Sequence, residues 1–270
     1  MTIFKKIIWI LKRHPFLYIT RFRLLSRNVN VSDINGYSYN VLNKKNDIAQ
    51  YFYDVNKEIF KDGRPENDSV LVKKICVWLD ANIKGGPGLS ESSDRALKMM
   101  LAGDGGVCSD IAQVFNNFCV INDVLVREWG TTAAPFNRNY GGHSFNEVYC
   151  SDLSKWVLFD VARSFIFCDE KSTPLSVVEL FKLKQLKKPI NYKSFVFDKK
   201  IEEKSITKNY LNPDIIPFLI CDYRNTTYDK FLKFARPYLP VFVIHFFIFS
   251  IHQSYHYQFP LNNYKEIFSA

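Results

Sequence analysis

The chain has no Cys-x-x-Cys pair, no phosphate-binding glycine loop, no internal repeat and no apolar run long enough to span a bilayer as a helix. Each absence excludes something. Its six cysteines (Cys76, Cys108, Cys119, Cys150, Cys168 and Cys221) are scattered without the spacing of a zinc site or a disulfide framework. Several lie in apolar runs, where a free cysteine behaves as a small hydrophobe, so a reducing, cytoplasmic setting is expected. His252 and His256 have helical i,i+4 spacing and His245 is near, but no carboxylate motif accompanies them, and no metal is expected. There is no phosphate-binding glycine loop of Walker or Rossmann type, and no cofactor is expected. The longest apolar stretch, residues 238–251, is interrupted by Pro240, His245 and Ser250 and falls short of the ~20 residues a spanning helix needs. Residues 7–11 are apolar but are cut off by Lys12, Arg13 and His14, too soon for the ~7–15 residue core of a secretory signal.

Acidic residues are missing altogether from the first 32 positions, which carry Lys5, Lys6, Lys12, Arg13, Arg21, Arg23 and Arg27. The net charge of +9 is therefore a property of the flanks, since residues 70–170 hold nine basic and twelve acidic side chains. A second basic stretch runs over residues 182–208. Residues 3–25 alternate basic residues with Ile, Trp, Phe and Leu, broken once at Pro15, in the manner of an interfacial amphipathic helix. With the apolar stretch at 238–251, this supports peripheral attachment at the inner face of the membrane and a membrane surface or lipid-linked substrate as partner. A helix docked on the protein's own core is the competing reading, and nucleic acid is not an expected partner. Three segments result: a basic amphipathic segment at 1–32, a catalytic domain at 45–187 and a C-terminal extension at 188–270.

What is present begins with helical spacing of apolar residues over 47–60 and 68–83, followed by the break Gly85-Gly86-Pro87-Gly88. A short helix is expected at 93–101. A second glycine turn, Gly103-Asp104-Gly105-Gly106, then delivers Cys108 to a buried helix reaching about 121. Strands are expected at 124–129, 143–150 and 156–161, and a helix at 176–186.

Cys108 at a helix mouth, His143 at the start of a strand and Asp160 on the next strand are the residue types that thiol acyl-transfer chemistry uses. A thiol with its free pKa of about 8.5 is mostly protonated at neutral pH, and the positive end of a helix beside an imidazole corrects this. The Cys108 N–H would supply half of an oxyanion hole. If 143–150 and 156–161 form a hairpin turning at Ser151-Asp152, positions summing to 303 face each other, which sets His143 opposite Asp160. The carboxylate would then orient the imidazole as the third member of a triad. Asp110 is read as a charge favouring the helix N-terminus, and Glu147 as a structural hydrogen-bonding residue.

The pattern Gly106-x-Cys108-x-Asp110, Val124-Leu125-Val126-Arg127, His143-x-Phe145-Asn146-Glu147-Val148, then Trp156 and Asp160, resembles the transglutaminase-like superfamily over about residues 70–163. The chain departs from that pattern at Phe145, where Trp is common, and at Val161, where Pro is frequent. No tryptophan is placed as second oxyanion donor, and Trp78 is read as core. The resemblance implies an α+β, papain-like core, with Cys108 as nucleophile, His143 as general base and acid, and Asp160 as orienter. It implies acyl transfer through a Cys thioester from a peptide, other amide or thioester donor to an amine acceptor. Three alternatives stand beside it. One is a thiol peptidase or amidase, with water as acceptor. Another is an arylamine acetyltransferase-like enzyme using acyl-coenzyme A, although the arginine that precedes that family's Gly-Gly-x-Cys turn is missing here. The last is a non-catalytic binding module that retains the fold.

Overall fold

A computed structural model describes residues 15–137, 139–236 and 238–269. Most of the basic amphipathic stretch expected at 3–25, up to residue 14, lies outside them. In chain order the helices and strands are α1 (Pro15–Leu25), β1 (Ser26–Asn28), α2 (Gln50–Ile59), α3 (Asp68–Asn82), α4 (Ser93–Ala102), α5 (Cys108–Ile121), β2 (Val126–Ala133), β3 (His143–Cys150), β4 (Lys155–Phe159), β5 (Phe165–Cys168), α6 (Val177–Gln185), β6 (Asn191–Ser194), α7 (Glu203–Ile206), β7 (Ile215–Cys221), α8 (Asn225–Ala235), α9 (Val241–Ser250), β8 (His256–Phe259) and α10 (Tyr264–Ile267). A π-helical turn, Thr207–Leu211, follows α7.

The architecture is α+β. Six strands form one sheet in the order β1-β8-β7-β2-β3-β4, antiparallel except for the β1–β8 pair, and β5–β6 form a separate ribbon. Both faces of the central strands are buried, so alternate residues enter two different cores. Val126, Val148, Val157 and Phe159 face the core built by α2 to α5. Trp129, Phe145 and Leu158 face the other, with Phe165, Phe167, Tyr210 and Leu219. Residues 188–270, expected as an extension, supply β7 and β8 to the same sheet, with β7 paired along β2 from Glu128↔Ile220 to Ala133↔Ile215.

Helix α5 is the axis of the first core. Val114, Phe115, Phe118 and Cys119 are fully buried, and so are Asn116 and Asn117. The asparagines are tolerated because they are bonded: Asn146 Nδ2 donates to Asn116 Oδ1 at 2.8 Å and the Tyr39 hydroxyl to Asn117 Oδ1 at 3.1 Å.

The β3–β4 hairpin corrects one expectation. Its pairs are Asn146↔Phe159, Glu147↔Leu158 and Tyr149↔Trp156, so the register is displaced by two from the one that sets 143 opposite 160. The connection is longer than a two-residue turn. Ser151–Leu153 form a 3-10 turn, and Ser154 closes it in the left-handed region at φ 51°. The N-terminus of α3 holds it there: Asp68 Oδ2 accepts from Ser151 N at 2.9 Å, and Asp152 Oδ1 accepts from Ser69 N at 3.1 Å. A slip of one residue would have sent Asp160 to the wrong face, whereas a slip of two preserves it.

Among the described residues no helix is long and apolar enough to cross a membrane. Within the 238–251 stretch, α9 starts after Pro240 and packs Ile244 and Ile248 inward while Phe246, Phe247 and Phe249 stay exposed.

Candidate active site

The two glycine turns read separately in the sequence meet in space. Gly86 N donates to Gly106 O and Gly106 N to Pro87 O, both at 2.9 Å, which ties the loop after α3 to the turn before α5. Gly106 has φ 119°, and a Cβ there would lie 2.6 Å from Met100 Sδ, so the position admits no side chain. This clasp sets Cys108 as the first residue of α5, where its N–H has no intrahelical acceptor. Asp110 reaches back to accept from Val107 N at 3.0 Å and Leu89 N at 3.1 Å, fixing the helix start as its charge suggested.

Cys108 is half-buried, and the other five cysteines are fully enclosed. Its Sγ accepts from Ser144 N at 3.4 Å. His143, at the first position of β3, presents Nε2 to Asp160 Oδ2 at 2.7 Å. That leaves Nδ1 for the Cys108 thiol, which lies within interaction distance of the ring. Asp160 and Phe165 form a bridge across a tight turn, with Ser164 N donating to Asp160 O at 2.7 Å. The carboxylate is completely enclosed. It accepts from the Tyr210 hydroxyl on Oδ2 at 2.8 Å and from Arg163 N on Oδ1 at 3.1 Å.

The electrostatics follow from these contacts. Burial pushes the Cys108 thiol up, but the hydrogen bond and charge of His143, together with the Ser144 N–H, outweigh it and leave the pKa lowered. Burial pulls His143 down, whereas the Asp160 charge and hydrogen bond, then those of Cys108, push it up to about 9. Both shifts favour a thiolate–imidazolium pair at neutral pH.

The structure therefore brings Cys108, His143 and Asp160 together. It also adds residues that the sequence reading passed over. Tyr210 arrives from the π-helical turn and packs its ring edge-on to His143 at 5.7 Å. The cleft at Cys108 continues into a cavity of about 560 Å³ whose lining includes Tyr140, Gln113, Glu128 and Tyr228. Glu128, on β2, is 3% exposed, and its carboxyl is pushed up to about 8 by burial, against the opposing effect of Asn116. Glu147 is structural: it accepts from Trp129 Nε1 at 2.9 Å and Val177 N at 2.8 Å and pairs with Arg127 at 3.4 Å. Trp78 packs against the first core.

Among the described residues no group of three His, Cys, Asp or Glu side chains could hold a metal ion. His245 contacts Arg21 Nη2 at 3.1 Å and His256 pairs with Asp222 at 3.4 Å.

No family model matches the sequence, and no curated protein matches it. Among solved structures, a candidate cysteine protease from Cytophaga hutchinsonii is similar, with 24% identity and a TM-score of 0.35. The match covers 50% of this chain and 45% of that one, so it spans less than half of that structure's length. The functional reading rests on the geometry of the three side chains.

Proposed function

We propose that this chain is a papain-like thiol enzyme that transfers an acyl group through a thioester on Cys108. The observation that carries the reading is the His143 Nε2–Asp160 Oδ2 bond of 2.7 Å with the lowered Cys108 thiol on the other side of the ring. The Cys108 thiolate attacks the carbonyl carbon of an amide, and the C–O π pair moves onto oxygen. The Cys108 N–H at the helix mouth faces that developing charge. Collapse breaks the C–N bond, and the His143 imidazolium gives its proton to the departing amine. An acceptor amine then attacks the thioester, gives a proton back to His143 and releases the thiolate. Asp160 keeps the ring oriented and favours its charged form throughout.

The cavity beside Cys108 has a volume of about 560 Å³, room enough for an organic amine acceptor. Hydrolysis is the second reading, and the transglutaminase-like pattern supports the first. Intact-mass analysis after incubation with amide and thioester donors tests both. An acyl adduct on Cys108 that an added amine converts to product supports transfer, and one that decays at the same rate with and without amine supports hydrolysis. No adduct with any donor, or an adduct that persists in Cys108→Ser, would favour a binding module.

We place this work at a membrane surface. The exposed Arg23 of α1 and the exposed Phe234, Tyr238, Phe246, Phe247 and Ile251 have the character of an interfacial surface. Sedimentation with anionic vesicles tests this, with loss on deletion of residues 1–27 expected and unchanged sedimentation contradicting it.

A further inference from the structure

Glu128 has no part in the chemistry above, yet it lines the same cavity as Cys108. Its Oε2 accepts from Gln113 Nε2 and, at 2.8 Å, from Asn116 Nδ2. Among the described residues no hydrogen bond reaches Oε1, and no Lys, Arg or His forms an ion pair with this carboxyl. Gln113 Oε1, beside it, is buried and has no donor either. Glu128 Oε1 is thus an acceptor at the cavity wall that no N–H of the described residues meets, with a second unmet acceptor, Gln113 Oε1, enclosed within that wall.

The other acids of the lining are compensated. Glu91 pairs with Arg95 and Arg236, each at 3.7 Å, and Asp110 is occupied by two backbone amides. The lining also holds tyrosine rings, with Tyr223 and Tyr228 stacked at 4.3 Å and Tyr255 at 5.8 Å from Tyr228. Such rings attract cations through their faces. The Arg21 guanidinium donates to the Tyr255 hydroxyl and stands 5.8 Å from the centre of its ring. Arg21 is therefore already engaged and does not neutralise Glu128.

We infer that the wall formed by Glu128 and Gln113 is a subsite for a primary ammonium group of the substrate, one that is held and not consumed. The occupant is a basic group carried at a distance from the reacting atom, as in a diamine, a basic amino acid or a peptide with a basic side chain. An ammonium has three N–H donors, one of which would meet Glu128 Oε1. A cation there also offsets the burial that pushes the Glu128 carboxyl up to about 8. This inference rests on the thiol-enzyme reading, because the subsite matters only if Cys108 reacts.

The test uses full-length protein and two thiol reagents of similar size, 2-aminoethyl and 2-hydroxyethyl methanethiosulfonate. Each forms a disulfide with Cys108 and expels methanesulfinate. After division by the same ratio for free 2-mercaptoethanol, the wild type should prefer the ammonium reagent by about tenfold, the scale of a hydrogen bond to a charged group. Glu128→Gln should lower that preference to near unity. A measurement that needs no variant is protection: n-butylammonium should slow hydroxyethyl labelling at about one-tenth the concentration of n-butanol. Equal protection, or an undiminished preference in folded Glu128→Gln, overturns the subsite alone. If the neutral reagent labels Cys108 no faster than a free thiol at pH 6, the enzyme reading fails instead.

Discussion

Asp160 and Glu147 look onto one face of the central sheet, Glu128 onto the other, and the protein treats them differently. On the first face Asp160 is met by an imidazole, a phenol and a backbone amide. There Glu147 is met by an indole, a backbone amide and the Arg127 guanidinium. On the second face Glu128 has, among the described residues, two side-chain amides and no cation. All three are buried to within 3% of full enclosure. A buried carboxylate is stable when paired and hydrogen-bonded, and otherwise it holds its proton or waits for a partner. The first face thus compensates its carboxylates from within the fold, and the second leaves Glu128 to hold its proton.

Three substitutions probe the contrast, in descending order of effect. Asp160→Asn removes the charge that raises His143, so the imidazolium is lost and its orientation loosened. The acyl-transfer rate should fall by about a thousandfold, measured as single-turnover decay of a thioester donor. A loss of less than about tenfold would mean that Asp160 is merely structural. Glu147→Gln leaves the Arg127 guanidinium buried without its counter-charge, although Arg127 keeps its bonds to the carbonyls of Ile34, Asn35 and Tyr37. Denaturant unfolding should show a loss of about 3 kcal/mol. An unchanged midpoint would break the distinction between the faces.

Glu128→Gln should do the opposite. The folded pKa of Glu128, about 8, lies above its ordinary 4.5, so the native state holds a proton that the unfolded chain releases. Wild-type stability from this group is fully present below pH 4.5 and is lost progressively up to about pH 8. The variant lacks this loss. Its melting temperature relative to wild type should therefore rise between those limits and level off above them. A relative fall over the same range would show that Glu128 is already paired.

Much of the reacting group was legible because local rules place it. A glycine turn before an apolar helix marks Cys108, and strand parity puts His143 and Asp160 on one face even though the hairpin register was displaced by two. The turn length depended on Asp68 and Asp152, contacts more than eighty positions apart in sequence, which no local pattern reveals. Tyr210 was invisible for the same reason, since nothing in its neighbourhood anticipates a π-helical turn delivering a phenol to Asp160. The C-terminal strands were missed because β8 is only four residues long and β7 contains Pro217. Proline usually argues against a central strand, but β8 pairs only with Leu219 to Cys221, so Pro217 lies beyond that ladder. Glu128 reads from the sequence as an ordinary strand acid, and only the partners it lacks distinguish it.

The central claim is that Cys108 and His143 share a charge-separated pair. The rate of Cys108 carboxamidomethylation by iodoacetamide, followed against pH by intact mass in wild type and in His143→Ala, tests it most directly. The wild-type midpoint should lie below the ordinary thiol value of about 8.5 and the variant midpoint above it, since burial is then opposed only by the weaker effect of the Ser144 N–H. Coincident midpoints at the ordinary value would contradict the claim.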